Sequence, residues 1–252
     1  MNTSTRPLVR VLSIAGSDSG GGAGIQADIK TVTMLGGHAM TAIAAVTAQN
    51  SRGVRAIHAV PDEMVIAQID AVLDDFGADA VKIGMIGSAA TAHAVAERLE
   101  SLNGVPIVFD PVMVSTSGAA LADEATIGAF ERLLAIATLS TPNLPEFGAL
   151  GGADAMAARG WAVLLKGGHA DGDQVTDRLF VDGAEVESWT DTRIDTPHMH
   201  GTGCTLASAI ATGLGEGMDL IPAIARARRF VRLALERAPN LVPENGPLGH
   251  AA

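Results

Sequence analysis

An α/β fold, with a central, mostly parallel sheet covered by helices on both faces, is what this sequence of 252 residues predicts. Three observations predict it. Short apolar runs bounded by Gly, Asp or Asn alternate with segments of helical period along the chain. Of the residues, 48% are hydrophobic, mostly Ala, Val, Ile and Leu, while aromatics are 3% and Tyr is absent. Ala-rich helices around Val/Ile-rich strands fit that mix better than an all-β sandwich does. No linker-like stretch or internal repeat divides the chain, so a single domain over 1–252 is expected, with its core at about 9–237.

The elements follow in order. Residues 9–15 read as a strand, followed by a Gly-rich turn and a helix over 24–35. Residues 40–48 and 54–60 are strands joined through the turn QNSRG. Pro61 suits the first turn of a helix that runs to Asp74, with apolar Val65, Ile66, Ile69, Val72 and Leu73 at helical spacing. A buried strand over 80–84, a helix over 89–99 and a strand over 106–109 come next. A helix over 125–135, a strand over 138–140 and a short helix opened by Pro142 and Asn143 precede a strand over 161–166. Residues 174–181 and 185–190 form a small β-hairpin across Asp182-Gly183. Helices over 202–214 and 220–237 follow, and then a loose tail with Pro239, Pro243 and Pro247.

The formal charge is −11. A surface this acidic repels phosphate backbones and anionic lipid, which argues against nucleic acid and membrane partners. A polyanionic substrate would have to be met locally, by a metal ion, a few Lys or Arg, and helix N-termini. A lone Cys204 excludes an intrachain disulfide and, with no signal-like apolar stretch near Met1, suggests a reducing cytoplasm. The seven His residues show no ligand spacing, so no zinc site is expected.

Ligands of such sheets sit beyond the carboxyl ends of the strands, and three sets of residues fall there. GSDSGGGAG, at 16–24, permits close backbone approach but lacks both the dinucleotide spacing and the Lys-Ser/Thr of a P-loop; a structural tight turn is the alternative. HGTGC, at 200–204, places Gly201, Thr202 and Gly203 at the start of an Ala-rich helix, where free amides bind anions. Cys204 then falls in the first turn, where a lowered thiol pKa is expected; a small buried hydrophobe is the other reading. Asp110 in DPVM, Asn143 and Glu146 in TPNLPE, and Lys166 in KGGH supply what a metal–triphosphate site needs, although each could instead be a helix cap or a salt bridge. Gln49 and Lys82 stand at strand ends with less force, and the Gln amide could pair with a ring nitrogen and an exocyclic amine.

The set GSDSGGGAGIQADIKT, AQN, KIGM, DPVM, TPNLPE, KGGH and HGTGCTL resembles the hydroxymethylpyrimidine and phosphomethylpyrimidine kinases of thiamine biosynthesis, in family order over about 9–235. The resemblance implies a three-layer αβα, ribokinase-like fold and an ATP- and Mg2+-dependent kinase. It would act on 4-amino-5-hydroxymethyl-2-methylpyrimidine and then on the monophosphate. It further implies a pyrimidine pocket lined by Ala23, Asp28, Gln49, Met85, Val112 and Cys204, with Gln49 and Asp28 reading the ring nitrogens and amino group. Gly201, Thr202 and Gly203 would form the anion hole, with Lys166 holding ATP phosphate beside Thr202 and Asn143. Glu146 and Asp110 would support Mg2+, and Cys204 would act as, or stand in for, the general base. A homodimer is expected. In one departure, the stretch between Glu146 and Lys166 is shorter than the family pattern, as if a helical turn were trimmed. The rivals are a pyridoxal or pyridoxine kinase on the same frame and a non-enzymatic pyrimidine sensor lacking the phosphate apparatus.

Overall fold

The first strand, which lies inside the sheet, shows how the layers arise. In β1 (Arg10–Asp18), Leu12 and Ile14 pack into one core, whereas Val11, with Val9 just before the strand, packs into another. Successive side chains of a strand point to opposite faces, so a strand buried without a break over residues 11–16 must be covered on both sides. In the computed structural model, which describes residues 8–115, 117–168 and 172–251, helices provide that cover. The chain continues through α1 (Gly24–Met34), β2 (His38–Asn50), β3 (Gly53–Ala59), α2 (Asp62–Asp75), β4 (Ala80–Ile83), α3 (Ala89–Leu99), β5 (Ile107–Phe109) and α4 (Glu124–Ile136). Then come β6 (Leu139–Ser140), α5 (Leu144–Ala149), α6 (Gly152–Arg159), β7 (Val163–Leu165), β8 (Gln174–Val181), β9 (Ala184–Thr192), α7 (Thr202–Gly215) and α8 (Leu220–Glu236).

Among the described residues, nine strands lie in the order β3-β2-β1-β4-β5-β6-β7-β8-β9. β2, β1, β4, β5, β6 and β7 are mutually parallel, and both hairpins extend this sheet antiparallel at its edges. Val65 and Ile69 of α2, Val95 and Leu99 of α3, and Phe130 and Leu133 of α4 fill one face, where Phe109 meets Phe130 edge-on at 5.2 Å. Val32 of α1, Leu206 and Ile210 of α7, and Ile224 and Val231 of α8 fill the other. The parallel strands therefore end on one edge, and the loops named from the sequence follow those ends.

Three expectations need correction. β1 runs through Asp18, so the first three residues of the supposed Gly-rich turn are strand, paired with β2 across a register shift at Ala15/Gly16. Between Glu146 and Lys166 lies a helix, α6, which sequence reading passed over. It is bounded by Gly151, Gly152 and Gly160 at positive φ and buries only Met156, so its apolar pattern is faint. The loose tail is also wrong. Leu248 and His250 are buried, and backbone hydrogen bonds tie residues 245 and 249 to the body of the protein.

Candidate active site

The carboxyl edge of the sheet opens into a cavity of about 1160 Å³. Every residue implied for the site lines it except Asp28. The final His of the KGGH motif, His169, lies outside the described residues.

One end of the cavity is charged. Asp110 follows β5, and its Oδ1 accepts from Lys166 Nζ at 2.7 Å and from Thr141 Oγ1 at 3.0 Å. Lys166 follows β7, bridges to Asn143 beyond β6, and also lies 3.9 Å from Glu146. Burial works against a charged Lys166, but Asp110 and Glu146 outweigh it and hold the ammonium's pKa above its usual value. Burial pushes the Glu146 carboxyl up; Lys166 opposes that and Asp110 adds to it. Asn143 and Glu146 are also a helix cap: Glu146 N donates to Asn143 Oδ1 at 2.9 Å and Asn143 N to Glu146 Oε2 at 2.8 Å. The structural reading of this pair holds, and the cap fixes the carboxylate at the cavity wall. Two carboxylates beside one ammonium suit a hard cation that keeps water and phosphate ligands. No cluster of three or more His, Cys, Asp or Glu side chains able to hold a metal occurs among the described residues.

The other end is built on the first Gly-rich loop. Asp18 Oδ2 accepts from the amides of Gly22 and Ala23, both at 2.9 Å, and Oδ1 from Gly20 at 2.7 Å. An ionised carboxylate only accepts, so His200 donates through Nε2 to Asp18 Oδ2 at 2.9 Å. Burial alone would raise the Asp18 pKa; these hydrogen bonds reverse the sign and keep the group an anion. Gln49 Nε2 lies 3.4 Å from the same His200 nitrogen, and Ala23, Met85 and Val112 complete an apolar wall. Sequence reading missed both Asp18 and His200. The signal was available, because a turn with several inward amides needs an acceptor and Asp18 is the one acid within it.

Between the two ends sits the loop 201–204. Gly201 caps α7 at φ +88, and a Cβ there would lie 1.9 Å from Gly22 O, so no other residue fits. A Cβ on Gly203 would meet Lys166 Nζ at 3.3 Å and Asp110 Oδ2 at 3.4 Å; the bare glycine leaves that space for a ligand. Thr202 is less available than expected, since its amide and hydroxyl both donate to Met199 O, at 3.2 and 2.6 Å. An anion bound here would therefore rest on the first-turn amides of Gly203 and Cys204. Cys204 is half-buried and lines the cavity, but its pKa runs opposite to expectation. Burial pushes the thiol up to about 11, against the pull of Lys82 and the Gly24 amide.

Asp28 is the misplaced residue. Ser13 of β1 and Lys82 of β4 are partners in register on the sheet face turned toward α1 and α7, and Asp28 of α1 drops onto them. Its Oδ2 accepts from Ser13 Oγ at 2.5 Å and Lys82 Nζ at 2.9 Å, and its Oδ1 from Ser208 Oγ of α7 at 2.6 Å. All four side chains are buried, so Asp28 reads no ligand in this arrangement.

The motif loops thus share one cavity, in which an apolar wall, the loop 201–204 and a Lys–carboxylate cluster meet. The family model for phosphomethylpyrimidine kinase matches residues 18–249. The chain belongs to the phosphomethylpyrimidine kinase family. A hydroxymethylpyrimidine/phosphomethylpyrimidine kinase of Rhizobium meliloti is 46% identical over 95% of this chain and 96% of its own length. A thiamine biosynthesis bifunctional protein of Geobacter sulfurreducens is also 46% identical, over 97% of this chain; the chain spans 52% of that protein's length. A Bacillus subtilis pyridoxal kinase, solved as an ADP complex, superposes with a TM-score of 0.88 at 31% identity, covering 97% of this chain and 98% of that one. The α/β architecture expected of the phosphomethylpyrimidine kinase family is therefore present.

Proposed function

We propose that the chain transfers the terminal phosphoryl group of ATP to the hydroxymethyl group of 4-amino-5-hydroxymethyl-2-methylpyrimidine, and then a second one to the resulting monophosphate. The single observation that carries this reading is the position of Gly203. Its vacant side faces Lys166 and Asp110, while the next residue, Cys204, lines the same cavity as Gln49 and Met85. Acceptor and donor therefore meet across one helix start. Gln49 pairs with the pyrimidine edge, between the apolar side chains of Ala23, Met85 and Val112.

Phosphoryl transfer passes through a loose transition state, so positioning and charge stabilisation carry most of the rate. Lys166 supplies a fixed positive charge to the phosphate oxygens, and the amides of Gly203 and Cys204 receive the equatorial oxygens. Glu146 and Asp110 would hold Mg2+, directly or through water, and the ion would supply charge neutralisation at the phosphates. Cys204 borders the acceptor hydroxyl as a neutral thiol and positions it; the hydroxyl proton passes to an oxygen of the transferred phosphoryl group late in the transfer. This is a weaker role than that of a preformed thiolate base. Ile194, Leu206, Val231 and Leu235 form an apolar wall suited to the purine, with Arg232 beside it.

A reducing cytoplasm suits the lone thiol of Cys204. The described residues contain no helix long and apolar enough to cross a membrane. A homodimer is supported by apolar side chains left exposed near one sheet edge, Val46, Ile57 and Met64.

The test is an ADP-release assay with Mg2+-ATP and hydroxymethylpyrimidine, with products identified by mass. One and then two added phosphates are expected. The likeness to a pyridoxal kinase favours a second reading on the same frame, so pyridoxal belongs in the assay. A kcat/KM for pyridoxal above that for the pyrimidine would overturn the substrate assignment. No ADP release with either would leave the pyrimidine sensor.

A further inference from the structure

We propose that residues 245–250 hold the anion loop in place and that His250 is a positioning residue acting through Thr205. The segment runs beside the chain that leads into the loop and is joined to it at successive points. Asn245 N donates to Pro197 O at 2.9 Å, Gly246 N donates to His198 Nδ1 at 3.2 Å, and Pro247 bridges His200 in parallel register. His250 Nε2 then shares a hydrogen bond of 2.9 Å with Thr205 Oγ1. Thr205 is the residue after Cys204, and its amide donates to Gly201 O, closing the first turn of α7. The segment therefore grips the loop on both sides, at 197–200 before it and at Thr205 after it.

The grip is built to be close. A Cβ on Gly246 would lie 2.7 Å from His198 Nδ1, and one on Gly249 would lie 1.9 Å from Arg237 O. Gly249 N donates to Ala234 O at 2.9 Å, which anchors the segment to the end of α8. His198, Leu248, His250 and Thr205 are all buried. The bond between His250 Nε2 and the Thr205 hydroxyl holds the ring, whose buried Nδ1 has no hydrogen-bond partner among the described residues, and losing that bond leaves a further buried polar group unpaired. The loop is otherwise held by Thr202, which donates to Met199 O, and by His200, which donates to Asp18, whereas Gly201 and Gly203 contribute no side chains. Without the segment, the Gly203 and Cys204 amides lose the rigid placement that an anion site needs.

The argument for catalysis rests on the kinase reading above, so the experiment carries a second readout that does not. His250→Ala, Thr205→Val, the double variant and His250→Gln are compared with the full chain for kcat, for KM and for the rate at which iodoacetamide alkylates Cys204. Loss of one positioning hydrogen bond predicts a fall in kcat and a rise in alkylation rate of roughly tenfold each. KM for the pyrimidine changes by less than about threefold, because ground-state contacts are untouched. The double variant is no worse than either single one, and His250→Gln, whose amide reaches the Nε2 position, recovers most of the loss. Unchanged alkylation and kcat in Thr205→Val, which keeps the shape of the side chain, overturns the proposal, as does simple additivity in the double variant. If His250→Ala does not fold, Thr205→Val alone decides. If the wild-type chain phosphorylates neither substrate, the kinase reading fails, while the alkylation rates still report on the grip.

Discussion

Two lysines of this chain, Lys82 and Lys166, look alike on paper. Each follows a run of strand residues, and each is paired with an aspartate, at 2.9 Å to Asp28 and 2.7 Å to Asp110. Lys82 points off the face of the sheet into the layer between β4, α1 and α7, and neither it nor Asp28 is exposed. Lys166 lies one residue beyond the end of β7, where the strand no longer dictates a face, and it reaches the cavity with 15% of its side chain exposed. The first pair is closed by Ser13 and Ser208; the second leaves room beside Gly203. A buried ion pair is structural when its hydrogen bonds are complete and functional when one side of it is open.

The comparison makes graded predictions. Lys82→Met leaves Asp28 buried without its counter-charge and costs about 3–5 kcal/mol of stability. Denaturant unfolding should show that loss, and the remaining folded fraction should still turn over. If stability held and activity vanished, Lys82 would belong with Lys166. The second lysine behaves in reverse. Lys166→Met should cut kcat by about 10²–10³, the usual effect of removing one charge-stabilising donor, with a smaller loss of stability than Lys82→Met because Asp110 keeps its bond from Thr141 and borders the cavity. A large fall in melting temperature would make Lys166 structural instead.

Cys204 stands between the two lysines and reports on burial. With its pKa raised to about 11, it is a neutral thiol over the physiological range. Its alkylation by iodoacetamide at pH 7.5 should be roughly 100-fold slower than that of an exposed cysteine, and should climb through pH 9–11. A titration midpoint below 8 would restore the thiolate base that the helix start alone suggested. Ser208→Ala is the mildest change. It removes one hydrogen bond to the Asp28 carboxylate and costs about 1.5–3 kcal/mol, measurable by thermal unfolding, with kcat unchanged.

The same contrast explains what was legible in the sequence. Strand ends are readable from apolar runs, and Asp110, Asn143, Glu146 and Lys166 each lie just past one, so their convergence followed from parallel topology. Asp28 was misread because it sits within α1, where its direction depends on the register between β1 and β4 that no local pattern reveals. Asp18 was passed over because glycines around it masked a continuing strand. His200 and residues 245–250 depend on contacts between positions far apart in the chain, such as His200 with Asp18 and His250 with Thr205. The thiol pKa was predicted with the wrong sign because a helix start is visible in sequence, whereas the depth of burial is not.

The central claim is that the phosphoryl group passes beside Gly203, on the side that faces the Lys166–Asp110 pair. Gly203→Ala tests it most directly, because it adds one methyl group on that side. The site lies in the first turn of a helix, where alanine is favoured over glycine by roughly 1 kcal/mol. Measured side by side, the melting temperature should hold or rise while kcat for ADP release falls by about 10². A fully active Gly203→Ala enzyme would mean that the transfer takes place elsewhere.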